Sequence, residues 1–172
     1  MTEAKVWQKN EKGSGIRLEI EFFGFSSSFE TLPNYSSFWE SVRCVGENQV
    51  NLGWNAREPS TELGSILMTE VRRHLGQDAP SLRLCCALGS PLDLYHGVDG
   101  FFFLVPIRNF IVSFDLSENW EKKPRQKAHF LISRADLLNP HSLDSLAKNI
   151  AMRLVIGKKK KSRCLNHEVR VG

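Results

Sequence analysis

The sequence predicts an α/β protein built on a mixed β-sheet. Three observations carry that expectation. Short apolar runs of strand length recur between residues 81 and 133. Helix-period stripes flank them at residues 59–76 and 142–157. An alternating run opens the chain at residues 13–25. Periods of two and of 3.6 residues mark half-buried strands and amphipathic helices respectively.

In GSGIRLEIEFFGF (residues 13–25), Ile16, Leu18, Ile20 and Phe22 share one face of an extended chain, and Arg17, Glu19 and Glu21 the other. The spacing predicts a half-buried strand. SSSFETLPNYSS (residues 26–37) is rich in turn formers and predicts a loop. FWESVRCV fits helix or strand, and NQVNLGWN (residues 48–55) reads as a short strand ending in a turn.

PSTELGSILMTEVRRHLG (residues 59–76) predicts the first helix. Ser60 or Thr61 can cap its start and Gly76 can stop it. At 100° per residue, Leu63, Ile66 and Leu67 define a buried face, and Glu70 falls in its middle. SLRLCCAL (residues 81–88), GFFFLV, NFIVSFDL and AHFLIS read as strands. The PIRN break between the second and third is short enough for a hairpin. SLDSLAKNIAMRLVIG (residues 142–157) predicts a second helix, with Leu143, Leu146, Ile150, Leu154 and Val155 along one side. The order is strand, helix, three strands, strand, helix. No internal repeat interrupts it.

A chain of 172 residues, 41% hydrophobic and 24% charged, fits one globular domain with a real core. We expect a domain over residues 1–157, divided into an N-terminal β-containing extension (1–55) and a core (56–157), then a basic tail (158–172). No apolar run is long enough to span a membrane, and the first fifteen residues lack the apolar centre of a secretory signal. Cys44, Cys85, Cys86 and Cys164 match no zinc or redox spacing. A reducing, cytoplasmic setting without disulfides is expected.

The net charge of +4 is uneven. Residues 158–172 hold six lysines and arginines against one acid, so the remainder carries about −1. Lys158, Lys159, Lys160 and Lys161 form one cluster, and Lys122, Lys123 and Arg125 form another in EKKPRQK. Clustered cations suit a nucleic-acid backbone, and equally suit a solvated surface.

Three acids stand out. Asp99 opens one strand of the expected hairpin and Asp115 lies near the end of the other, sharing a face with Ser113 and Ser117. Glu70 sits in the helix stripe. Buried carboxylates are costly unless paired or metal-bound, and Mg²⁺ or Mn²⁺ takes such oxygen ligands. Each acid also has an ordinary role: Glu70 reaching solvent or pairing with Arg73, Asp99 bonding its own turn, Asp115 ending a strand. His96, in HGVDG, fits a turn histidine better than a catalytic base. Trp120 fits a core or rim position better than a base-stacking one.

The order of Glu70, Asp99 in YHGVDGFF and Asp115 in IVSFDLS resembles the PD-(D/E)xK nuclease superfamily. The resemblance spans roughly residues 60–154. It implies a restriction-endonuclease-like αβββαβ core and Mg²⁺- or Mn²⁺-dependent phosphodiester hydrolysis. Glu70, Asp99 and Asp115 would then hold metal. Two features depart from the family pattern. Ser117 stands where the family places a lysine, so the resemblance implies a lysine from elsewhere, with Lys127 first and Lys122 or Lys123 next. Residues 118–127, with Pro124, are short for the helix between the third and fourth strands, which leaves a hairpin or a reduced crossover. The expected function is a metal-dependent endonuclease acting on nucleic acid, with DNA first, either alone, as a homodimer or in a larger complex. The alternative is a non-catalytic module of the same fold that binds nucleic acid or protein.

Overall fold

The computed structural model describes residues 14–25, 34–118 and 128–168. Among them are six α-helices and a four-stranded mixed sheet. In chain order the elements are α1 (Ser14–Phe23), α2 (Phe38–Asn48), α3 (Glu62–Leu75), β1 (Leu82–Cys86), α4 (Pro91–His96), β2 (Gly100–Leu104), β3 (Ile107–Leu116), β4 (Phe130–Ile132), α5 (Arg134–Leu138) and α6 (Pro140–Glu168).

The sheet runs β1-β2-β3-β4. β1, β2 and β3 form an antiparallel meander, and β4 joins β3 in parallel. The expected hairpin is present, with Leu104 opposite Ile107. Parallel neighbours cannot be joined by a tight turn, so the link from β3 to β4 is a crossover and not a hairpin. Its residues 119–127 lie outside the described ones.

Alternation along the strands divides the interior. Leu82, Leu84, Phe102, Leu104, Val112, Phe114 and Leu116 face the larger core, with residues of α1, α3, α5 and α6. Cys85, Phe101 and Ile111 face a smaller one, with Val42 and Val45 of α2 and Leu92 of α4. Both sheet faces are therefore covered. Ser113, Asp115 and Ser117 share the face of Ile111, and all three are buried.

The N-terminal segment is helical, which corrects the expected β extension. Ten residues are too few to separate the two periods when both find apolar positions. Leu18, Glu19, Phe22 and Phe23 are buried, a helical spacing, while Ile20 is 46% exposed. Leu18, Phe22 and Phe23 belong to the main core. Thr61, the N-cap residue of α3, donates its hydroxyl to the Phe22 carbonyl, tying the end of α1 to the start of α3. Gly64 keeps that approach open: a Cβ there would lie 3.1 Å from the same carbonyl.

Residues 48–55 are also not a strand. α2 ends at Asn48 and turns follow. Even so, this segment covers the free edge of β1. The Gln49 amide donates to the Cys86 carbonyl and accepts the Cys86 N–H, both at 2.8 Å, as a neighbouring strand would. The Trp54 indole donates to Leu84 O at 2.7 Å.

The second predicted helix does not stop at Gly157. α6 continues through Lys158–Lys161 to Glu168. Gly157 allows the closest approach of that helix to the sheet, because a Cβ there would meet the Phe110 ring at 2.2 Å. Among the described residues no helix is long and apolar enough to cross a membrane, and Cys44, Cys85 and Cys86 are free thiols.

Candidate functional site

The site is built where β3 ends and β2 begins. Ser90 caps α4 by accepting the Leu92 and Asp93 N–H groups, and Gly97, at φ 61°, ends the helix in the left-handed region that glycine tolerates. Two residues later Asp99 enters the sheet. Its N–H donates to the Phe114 carbonyl at 3.0 Å, and its Oδ2 accepts the Leu116 N–H at 2.7 Å. Asp99 thus holds the chain on both sides of Asp115. Gly100 follows, and a Cβ there would lie 2.5 Å from the Phe114 ring and 2.8 Å from the Phe23 ring. Those rings stack with centroids 6.2 Å apart. The same contact brings α1 to the site.

Three carboxylates are buried there: Asp99 and Asp115, each 4% exposed, and Glu19 of α1, 2% exposed. Burial, then the charges of Asp93 and Asp115, push the Asp99 carboxyl well above its ordinary range. The Leu116 N–H opposes that shift, and the Glu19 charge adds to it. Acids of α1, α4 and the end of β3 thus lie near enough to Asp99 to disfavour its charge. Asp93, on α4, adds a fourth charge and accepts the Gly89 N–H at 3.0 Å.

Of the three acids expected to converge, Asp99 and Asp115 do so and Glu70 does not. The buried face of α3 is Leu63, Gly64, Leu67, Met68, Val71 and Leu75, rotated away from the stripe centred on Ile66. Glu70 lies at the border of that face, 28% exposed and paired with Arg73 at 2.8 Å. Arg73 also pairs with Asp144 of α6, and His74 Nε2 lies 2.9 Å from Asp144 Oδ1. Glu70, His74 and Asp144 offer ligand atoms within 4.8 Å of one another and form a possible metal-binding triad. Arg73 already supplies positive charge there. Its hydrogen bond, followed by that of His74, holds the Asp144 carboxyl below its usual range.

Glu19 was hidden by the strand assignment, which puts it on the solvent face with Arg17 and Glu21. Read at 100° per residue, it falls beside Phe22 and Phe23, an acid inside an apolar stripe. His96 is buried, with Nε2 3.0 Å from the Ser36 carbonyl and its ring against Tyr35 and Phe38.

Two further groups lie on the β4 side of β3. Ser113 donates its N–H to His129 Nδ1 at 3.0 Å, with its hydroxyl 2.8 Å from the same atom. A backbone N–H can only donate, so Nδ1 accepts and the ring proton sits on Nε2. Burial, with the Arg153 charge, lowers the His129 pKa. Arg134, at the start of α5, bonds Glu21 of α1 at 2.5 Å and Glu118, just past β3, at 3.2 Å.

Lys122, Lys123, Arg125, Lys127 and Trp120 lie outside the described residues. Lys158 pairs with Asp78 at 2.5 Å, and Lys159 is exposed. Lys160 and Lys161 are on α6. Ser117, in the family's lysine position, is buried, and its N–H donates to the Ile132 carbonyl at 2.9 Å.

No protein-family model, curated protein or solved structure matches the chain significantly.

Proposed function

We propose that this chain is a metal-dependent nuclease that hydrolyses phosphodiester bonds in nucleic acid, with DNA as the expected substrate. The observation that carries this reading is the burial of three carboxylates, Glu19, Asp99 and Asp115, where α1 packs against β3. Like charges in a low-dielectric interior repel strongly, and a cation relieves that repulsion. Among the described residues only Glu70, His74 and Asp144 offer three ligand atoms within 4.8 Å of one another, so Glu19, Asp99 and Asp115 would have to draw together around an ion; their all-oxygen chemistry is the kind that Mg²⁺ or Mn²⁺ takes. Such an ion, when bound, activates water and stabilises charge on a phosphate.

The protein's own contribution is placement. The Leu116 N–H fixes the Asp99 carboxylate, the β3 ladder fixes Asp115, and the Phe23–Phe114 contact fixes the helix that carries Glu19. The element order also supports the reading. A helix, an antiparallel meander and a parallel fourth strand after a crossover agree with the core that the PD-(D/E)xK resemblance implies. In this reading Glu19, not Glu70, completes the acid set.

A second reading rests on Ser117. A buried serine in the lysine position suits a module that keeps the fold and binds nucleic acid or protein without cutting. Nicking of supercoiled plasmid with Mg²⁺, Mn²⁺ or chelator separates the two. Metal-dependent nicking by the wild type, lost in Asp115→Ala and Glu19→Gln, is the expected result. Equal background in all three proteins would count against the nuclease on this substrate and favour the binding module.

A further inference from the structure

The acid site needs a cation to meet the phosphate, and Ser117 does not supply one. The fixed charge that the structure brings to the same end of the sheet is Arg134. Three contacts place it there. The Ser117 N–H bonds the Ile132 carbonyl, two residues before Arg134. Glu118, three positions after Asp115, accepts from Arg134 Nε. Glu21, two positions after Glu19 on α1, pairs with Arg134 Nη2. Ser133 and Asp136 close a capping box at the start of α5, so the arginine departs from a fixed backbone.

The donor arithmetic leaves room for a ligand. A guanidinium has five N–H donors in a planar fork. Among the described residues the two carboxylates engage Nε and Nη2, which leaves the Nη1 pair and one Nη2 hydrogen. An Nη1/Nη2 edge is the geometry that grips two phosphate oxygens at once. The side chain is 31% exposed, so it is only partly covered by its neighbours. The two acids hold the guanidinium in one orientation, which lowers the entropy cost of gripping a phosphate.

We propose that Arg134 is a nucleic-acid backbone ligand, gripping a phosphate beside the acid cluster while Glu21 and Glu118 hold its guanidinium in place. The proposal rests on the nuclease reading for its substrate, but its test does not depend on cleavage. A bland role is the rival: Arg134 as a staple between α1, β3 and α5.

The test measures binding of a fluorescein-labelled DNA oligonucleotide to the full chain, in chelator, over a series of KCl concentrations. Each phosphate contact contributes about 0.9 to the slope of log affinity against log salt. Arg134→Gln should weaken binding and reduce that slope by about one, and Arg134→Lys should restore the slope without the full affinity. An unchanged slope in Arg134→Gln would overturn the proposal. If Arg134→Gln does not fold, Arg134→Lys decides. It keeps the charge and loses the two-pronged grip, so weaker DNA binding at an unchanged salt slope supports the phosphate contact, and wild-type affinity overturns it. Plasmid nicking by the wild type is read separately. Nicking with no slope change in Arg134→Gln sinks the arginine and keeps the nuclease. A slope change without nicking by the wild type does the reverse. No DNA binding by the wild type overturns both.

Discussion

Asp99 brackets Asp115: its N–H reaches the Phe114 carbonyl at 3.0 Å, and its carboxylate receives the Leu116 N–H at 2.7 Å. One residue thus serves as a strand partner and as a buried carboxyl group whose charge its neighbours disfavour. The two roles oppose each other energetically, and substitution can separate them.

Asp99→Asn keeps an oxygen for the Leu116 N–H and removes a buried charge from a repelling group. In chelator it should raise stability by about 1 kcal/mol, since relief of like-charge repulsion outweighs a weaker neutral hydrogen bond. Asp99→Ala leaves a buried N–H unmet and should cost about 1–3 kcal/mol. Urea midpoints of the three proteins check both signs. Asp99→Asn less stable than wild type in chelator would mean that the carboxylate is retained for structure rather than for a cation.

His129 should give the domain an acid-sensitive limb. Its folded pKa is lowered, so folding favours the neutral ring. That contribution is complete above the unfolded value of about 6.5. It is lost as pH falls through the lower folded value. Protonation at Nδ1 would also set two donors, the ring and the Ser113 N–H, against each other. Melting temperature followed from about pH 7.5 down to about pH 5, from above to below the free imidazole value, should fall more steeply for wild type than for His129→Gln. Parallel curves would show that the ring does not titrate against the fold.

Gly100 has no φ constraint but no room. Its pro-Cβ direction points at two aromatic rings and at the Cys85 carbonyl, 3.0 Å away. Gly100→Ala should destabilise by about 1–3 kcal/mol through displacement of Phe23 or Phe114. Because Phe23 belongs to the helix bearing Glu19, nicking should fall further than stability alone explains. Specific activity of the folded fraction, measured alongside the urea midpoint, separates the two effects.

Much of the sheet was legible in the sequence because its strands are apolar runs between clear turn signals. The hairpin, the Gly76 stop and the entry of Asp99 into the sheet follow from local chemistry, although the turn is Val105–Pro106 and Ile107, Arg108 and Asn109 of the expected break already belong to β3. α1 was not legible, since Ile16, Leu18, Ile20 and Phe22 satisfy a period of two as well as Leu18, Phe22 and Phe23 satisfy 3.6. Tertiary packing against Phe114 and Trp54 decides between them. Glu70 shows the converse. A stripe centred on Leu63, Ile66 and Leu67 puts it inside, but Met68 and Val71 turn the true face so that Glu70 meets Arg73 at the α6 side. Which helix supplies the third acid depends on long-range packing, and no window of the sequence contains that.

The choice between those two glutamates is itself testable. Glu19 is buried and its charge reaches Asp99, whereas Glu70 is ion-paired in the α3–α6 group with His74 and Asp144. Glu19→Gln should reduce metal-dependent nicking on the order of 100-fold or more, the scale at which metal sites respond to loss of a supporting group. Glu70→Gln should leave nicking within a few-fold of wild type, because Arg73 retains Asp144 as a partner. Initial rates at saturating Mn²⁺, together with Mn²⁺ titrations of each variant, make the comparison. If Glu70→Gln abolished both nicking and Mn²⁺ binding while Glu19→Gln kept them, the working metal would belong to the Glu70, His74 and Asp144 group. The buried acids at the end of β3 would then be a structural feature that holds β2 to β3.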